Sequence, residues 1–186
     1  MLRSKPLAFI DVETTGLTAG YHEIIEICII TPKYAYHKKI RPIHVDRMDS
    51  KAITINGYKP SEWRHAIEPK IAASEIADLL KGHLIVGHNP RFDMEFITEL
   101  CWRENVALRM DPRAIDTTTI AYIYLVPMGL HSLALDAIRR FVGWKVHNYH
   151  DAYHDVLDTQ RLYKTLLSPW GRFQIRFYRW MRLWKS

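Results

Sequence analysis

The sequence predicts an α/β or α+β domain with a mixed β-sheet. Three observations carry this. Apolar strand-like runs come early in the chain and amphipathic helical runs come late, with one strand–helix alternation in the middle. The length of 186 residues suits one globular domain, which buries roughly two-thirds of its unfolded surface. A content of 48% hydrophobic and 25% charged residues is that of a soluble protein.

Residues 5–12 read as a buried strand, and "HEIIEICIIT" (residues 22–31) as a second. "YAYHKKIRP" is a third, more exposed return strand. In "ITINGYKPSEW" the asparagine, glycine and proline mark a turn before a helical stretch. "SEIADLLKG" reads as a helix ending at Gly82, and "HLIVGHN" as a short central strand. "FDMEFITELCWREN" is a helix with Phe96, Ile97, Leu100 and Cys101 on one face. "HSLALDAIRRFVG" is another, capped by Ser132 and stopped by Gly143. A His- and Tyr-rich loop (144–150) leads into a helix over 151–167. Ser168-Pro169 is the one joint, dividing a domain (1–168) from a basic aromatic tail (169–186), which is expected to be helical.

Cys28 and Cys101 lie in apolar runs and form no CxxC pair. They are expected to be reduced, buried thiols in a cytoplasmic protein, not a disulfide scaffold or a zinc site. The N-terminus has no long apolar run before its first acids, so a signal peptide is not expected. No stretch approaches membrane-spanning length. The net charge is +6, and Arg172, Arg176, Arg179, Arg182 and Lys185 place five of those charges in the tail, pointing to a polyanionic partner.

The first strand ends in "AFIDVETTGL". Strand alternation puts Leu7, Phe9, Asp11 and Glu13 on one side, so two carboxylates sit one pleat apart. In partly buried surroundings they need a cation or protons between them. At 100° per residue, the helix after residue 151 has an apolar stripe of Ala152, Val156, Thr159, Leu162, Tyr163 and Leu166, with Asp155 inside it and Asp158 at its margin. Asp93 likewise falls on the stripe of Phe96, Ile97 and Leu100. Taken singly, either Asp reads as a cap or a buried ion-pair partner, and Asp93 lies in a first turn that the helix dipole favours. Four acids agreeing by position point to hard divalent cations, which take oxygen ligands.

His150, five residues before Asp155, is placed to accept a proton from a metal-activated water. His22, His37, His44, His65, His83 and His147 carry no such pattern and read as surface or packing residues. "GHLIVGH" spaces its glycines like a phosphate-binding loop but lacks the Lys-Ser/Thr, and neither G-x-S-x-G nor H-E-x-x-H occurs.

"FIDVETTGL", "VGHNPRFDMEFI" and "HDAYHDVLDTQRLY" resemble the three motifs of the DEDDh-type (DnaQ-like) 3′–5′ exonucleases, the last in the form H-x-A-x-x-D-x-x-x-T-x-x-L. The resemblance spans residue 6 to about residue 167. It implies an α/β, RNase H-like fold, a central mixed β-sheet flanked by α-helices, and two Mg²⁺ or Mn²⁺ ions held by Asp11, Glu13, Asp93 and Asp155, with His150 as general base. The implied activity is hydrolysis of phosphodiester bonds at the 3′ end of DNA, single-stranded or frayed, releasing 5′-mononucleotides. An exoribonuclease and a catalytically idle binding or polymerase-tethering module are the alternatives. It also implies that Thr14, Thr15, Gly16 and Leu17 grip the terminal nucleotide, with Leu17 against a base or else in the core. His88 and Asn89 would hold the second motif or the substrate. Asp116 reads as a structural acid. Arg91 would contact a phosphate or lie exposed, and Asp158 is a surplus acid.

In the tail, Phe173, Phe177, Trp180 and Trp184 form one narrow helical face and Arg172, Arg176 and Arg179 a neighbouring one. Such a helix suits nucleic acid, an acidic membrane surface or a groove on a polymerase or another protein. The other reading docks the aromatic face on the domain's own core with the arginines in water.

Overall fold

The computed structural model describes residues 5–146 and 151–183. A five-stranded mixed sheet runs in the order β3-β2-β1-β4-β5. Its strands are β1 (Leu7–Thr14), β2 (Ile24–Ile30), β3 (Ala35–Lys39), β4 (Leu84–Gly87) and β5 (Ala114–Asp116). β1, β2 and β3 pair antiparallel, whereas β4 lies parallel to β1 and β5 parallel to β4. The helices are α1 (Ser50–Asn56), α2 (Pro69–Leu80), α3 (Pro90–Arg103), α4 (Thr117–Leu125), α5 (Leu135–Val142), α6 (Ala152–Leu167) and α7 (Pro169–Leu183). This is the expected α/β architecture with a mixed sheet.

β1 alternates in regular register with β2 as far as Glu13. Ala8, Ile10 and Val12 pack with Ile27 and Ile29 of β2 against α2 and α3. Phe9 packs the other way with Cys28 and Val86, against Ala152 and Val156 of α6. Asp11 and Glu13, in step with Phe9, therefore face the α6 side. α6 in turn joins α4, α5 and α7 in a second core built on Leu125, Ile138, Val142, Leu162 and Leu166. Cys28 and Cys101 are both free and buried. No described helix is long and apolar enough to cross a membrane.

Several boundaries shift. β1 continues two residues past the expected end, because Glu13 and Thr14 still pair with β2. The stretch read as a turn begins as the last turn of α1, and the chain reverses at Gly57, whose φ is 66°. α2 starts at Pro69, a residue that suits a first helical position. α5 starts at Leu135, so Ser132 is no N-cap; its hydroxyl accepts from the Ala134 amide at 3.3 Å, in the approach to the helix.

The tail forms α7, turned opposite to the reading that put its aromatics on the core. Ile175 joins the core of α5 and α6. Arg172 lies over the Tyr124 ring at 4.8 Å and Arg179 over the Phe141 ring at 3.8 Å. Trp170, Phe173, Phe177 and Trp180 follow one another along the outside with near-parallel or tilted rings, each more than half exposed. Guanidinium groups stack on aromatic faces while their apolar stems cover the core, so the arginines can take the inner side. The Arg182 side chain, Trp184 and Lys185 lie outside the described residues.

Candidate active site

Three elements carry the four acids to one end of the sheet, at the carboxyl ends of β1 and β4, where parallel strands commonly present ligand sites. Carboxylate oxygens of Asp11, Glu13 and Asp155 all lie within 4.8 Å of one another. Asp155 stands in the first turn of α6, which packs directly on β1. Asp93, in the first turn of α3, is buried, and its Oδ1 accepts from the Val12 amide at 2.9 Å. That bond ties α3 to the strand between the two acids of β1.

Getting Asp93 there depends on the turn between β4 and α3. Asn89 takes the left-handed conformation at φ 69° as the N-cap, and Pro90 opens the helix. The Asn89 amide donates to Asp116 Oδ1 at 3.1 Å, and the same oxygen accepts from Thr118 N at 2.8 Å, capping α4. Asp116 is thus a structural acid. A Cβ on Gly87 would fall 2.7 Å from Pro90 Cβ, so the glycine permits this close approach.

Two of these acids, Asp11 and Asp93, resist ionisation. Burial pushes the Asp11 carboxyl well above the usual carboxylate range, reinforced by the charges of Asp93, Asp155 and Glu13 and opposed by Arg139. Burial raises Asp93 to about 8, against the hydrogen bonds from Val12 and from its own amide, with Asp116 adding to the rise. An all-oxygen donor set whose members repel each other is what a hard divalent cation relieves, so the residues present fit such a group.

A cleft of about 230 Å³ opens on the acids, lined also by Thr14, Leu17, His88, Asn89 and Phe92. Leu17 is 82% exposed at its edge, which removes the alternative of a core residue. Thr14 Oγ1 donates to the Gly16 carbonyl at 2.7 Å. Thr15 is buried, with its hydroxyl accepting from Glu23 N at 2.9 Å, so it shapes the loop and does not face the cleft. A Cβ on Gly16 would overlap the His22 ring. His88 is engaged at both nitrogens, with Nε2 donating to the Leu133 carbonyl at 2.7 Å and Nδ1 2.9 Å from Thr117 Oγ1. Burial lowers its pKa, the mark of a neutral structural imidazole. Arg91 is exposed and bonded to Glu95 at 2.8 Å. His150 lies outside the described residues.

Sequence reasoning missed four contributors. Ala52, Ile55 and Asn56 of α1 line the cleft, and Asn56 Nδ2 donates to the Thr14 carbonyl at 2.9 Å. Arg139, 2% exposed, reaches Asp155 from behind at 2.6 Å. The surplus acid Asp158 was its one signal, since it accepts from Arg139 Nε at 2.8 Å. A second grouping, Glu26, His37 and Asp151, lies on neighbouring strands and the start of α6. Within it, Glu26 and His37 form a 2.6 Å pair. A larger groove, about 930 Å³, runs along α3 past Met94, Leu108 and Met110 and contains none of the four acids.

An exonuclease family model, of RNase T type, matches residues 8–163. The chain is 28% identical to the Ribonuclease T of Buchnera aphidicola subsp. Acyrthosiphon pisum, over 88% of its own length and 82% of that protein's. It is 24% identical to the Ribonuclease T of Yersinia enterocolitica, over 88% and 85%. Among solved structures, the zinc-bound form of the E. coli exonuclease I–ssDNA complex superposes with a TM-score of 0.75 at 21% identity. The match covers 96% of this chain but 43% of that one, so this chain spans under half of it. Exonuclease I in complex with a dT13 oligonucleotide gives the same score over 94% of this chain. At these identities the structures speak for the fold, which is RNase H-like. With the family model covering most of its length, the chain belongs to the exonuclease family, the DnaQ-like group of metal-dependent 3′–5′ exonucleases.

Proposed function

We propose that this chain removes nucleotides from single-stranded or frayed 3′ ends of DNA, releasing 5′-mononucleotides. The observation that carries this is the convergence of Asp11, Glu13 and Asp155 within 4.8 Å, with Asp93 buried beside them. These four acids would hold two Mg²⁺ or Mn²⁺ ions. When bound, the ions supply an activated water and stabilise the departing 3′ oxygen.

The chain's own residues do the rest. Asp93, bonded to Val12, and Asp155, bonded to Arg139, present their carboxylates on rigid elements. His150, the residue before the α6 N-cap Asp151, takes the proton from the attacking water as general base. The water oxygen bonds to phosphorus as the phosphorus–O3′ bond breaks; O3′ takes up a proton and remains as the new 3′ hydroxyl of the shortened strand, and the phosphate leaves as the 5′-phosphate of the released nucleotide. Leu17 and Ile55, the latter 51% exposed, both line the cleft and offer apolar contact to the terminal base without polar readout. Thr14, Gly16 and Asn89 border the sugar and phosphate; Thr15 and His88 act through the loops they brace.

The catalytic unit is residues 1–168. The exposed aromatic ridge of α7 is the surface suited to a polymerase or another protein partner. A second reading, an exoribonuclease, is favoured by the relatives named Ribonuclease T. 5′-Labelled DNA and RNA of one sequence, incubated with Mg²⁺, Mn²⁺ or EDTA, separate the two readings. Asp11→Ala and His150→Ala are run alongside. A metal-dependent ladder shortening from the 3′ end of DNA, lost in both variants, supports the reading. Degradation of RNA alone changes the substrate. No cleavage of either strand by a folded protein refutes the assigned roles.

A further inference from the structure

Arg139 is the most deeply buried cation among the described residues, at 2% exposure. Taking a guanidinium out of water is costly unless its donors are matched. Here three of its nitrogens each find a different carboxylate. Nη1 donates to Asp136 Oδ1 at 2.8 Å, Nε to Asp158 Oδ2 at 2.8 Å, and Nη2 to Asp155 Oδ1 at 2.6 Å. Asp136 lies one turn before Arg139 on α5, and Asp158 lies one turn after Asp155 on α6. Two acids outside the cleft therefore set the plane of the guanidinium, and the third nitrogen is aimed at the acid that faces the cleft.

Joining α5 to α6 requires none of this. The surrounding core is Ile138, Val142 and Leu162, and an apolar side chain at position 139 would extend it. Replacing a buried ionic network with well-packed apolar groups is often neutral or stabilising. The network's one member with a place in the cleft is Asp155, whose carboxylate lies within 4.8 Å of those of Asp11 and Glu13. A planar, bonded cation fixes the rotation of that carboxylate in a way a point charge does not.

We propose that Arg139 is a positioning residue for metal binding: clamped by Asp136 and Asp158, it holds Asp155 in the orientation that completes the carboxylate site. This rests on the proposed role of Asp155 as a metal ligand. Partners of this kind typically change metal affinity by 10–100-fold when removed. Arg139→Lys keeps the charge and loses the planar fork, so it separates orientation from electrostatics. Asp158→Asn keeps an oxygen for Nε and only weakens the clamp.

The test is calorimetric Mn²⁺ binding to the whole chain, free of nucleic acid, alongside the Mg²⁺ dependence of kcat and the KM for oligonucleotide. Arg139→Lys should remain folded, bind Mn²⁺ about tenfold more weakly and need correspondingly more Mg²⁺ for half-maximal kcat. Its KM at saturating metal should stay within about twofold, since the ligand acid is affected and not the substrate surface. Asp158→Asn should fall between it and the wild type. A folded Arg139→Lys with wild-type Mn²⁺ affinity overturns the proposal and leaves Arg139 as a bolt between helices. Should that variant fail to fold, the wild type decides. The Arg139 side-chain ¹⁵N resonance should shift on Mg²⁺ titration with the midpoint that calorimetry gives, and an indifferent resonance overturns the proposal. A wild type that binds no Mn²⁺ or Mg²⁺ overturns the reading of Asp155 itself, and the inference with it.

Discussion

Replacing the buried Asp93 carboxyl, one of the four acids proposed to hold metal, should make the metal-free protein more stable. Asp93 is 4% exposed, and its carboxyl is raised to about 8, from an ordinary 3.8, chiefly by burial. Between those values the folded chain holds a proton that the unfolded chain releases. Stability in the absence of metal therefore falls as pH rises through that window. Each pH unit across it costs about 1.36 kcal/mol, so at pH 7 the penalty is at most about 4 kcal/mol. Asp93→Asn carries no charge to bury and keeps an oxygen to accept from Val12 N at 2.9 Å. In EDTA at pH 7 to 8 it should melt roughly 10 °C above the wild type, and its stability should fall less steeply, by about 1.4 kcal/mol for each pH unit. Added Mg²⁺ should raise the wild type and leave the variant unmoved. In the wild type, metal binding should release protons at neutral pH, visible as a buffer-dependent binding enthalpy. Thermal melts from pH 5.5 to 8.5 with and without Mg²⁺ suffice. If Asp93→Asn melts at or below the wild type in EDTA at pH 8, with an unchanged pH slope, Asp93 is not a charge awaiting a cation.

Three further outcomes follow from particular contacts. Leu17→Ala should raise the KM for single strands roughly tenfold with kcat nearly unchanged, because an exposed apolar side chain at the cleft edge serves binding and not chemistry; steady-state kinetics on one oligonucleotide checks this. Gly87→Ala should cost about 1–3 kcal/mol and lower the melting temperature by several degrees, because its Cβ would press on Pro90, which opens the helix carrying Asp93. The His37 imidazole is held above its ordinary 6.5 mainly by its hydrogen bond to Glu26, with the charges of Glu26 and Asp151 adding, against burial and Lys39. Its contribution is therefore complete below that ordinary value and disappears as pH rises through the raised one. In saturating Mg²⁺, denaturation of His37→Gln should lack the part of the wild type's stability loss that sets in above pH 6.5; identical pH profiles would exclude that role.

Much of the site was legible because it is written in local periodicity. Strand alternation alone puts Asp11 and Glu13 in step with Phe9, and the helical repeat puts Asp93 and Asp155 on buried stripes. Neighbouring residues settle such placements, whatever lies across the core. The same locality explains Gly143, which ends α5 as its sequence suggests, with φ 78°. Boundaries were less legible where tertiary pairing outvoted local signals, as where β2 holds Glu13 and Thr14 in the sheet.

What only the tertiary structure decided is who faces whom at long separation. Nothing in the local sequence around Arg139 marks it as buried. It is buried because α6 brings Asp155 and Asp158 to meet it, 16 and 19 residues further along the chain. Ile55 and Asn56 join the cleft because α1 folds back over β1, bonded to Thr14 from 42 residues away. The tail's periodicity defined two faces of α7 but could not say which one points inward. That depended on Tyr124 and Phe141 standing ready to receive Arg172 and Arg179. Amphipathic order along an element comes from its own residues; its orientation comes from the surface that it meets.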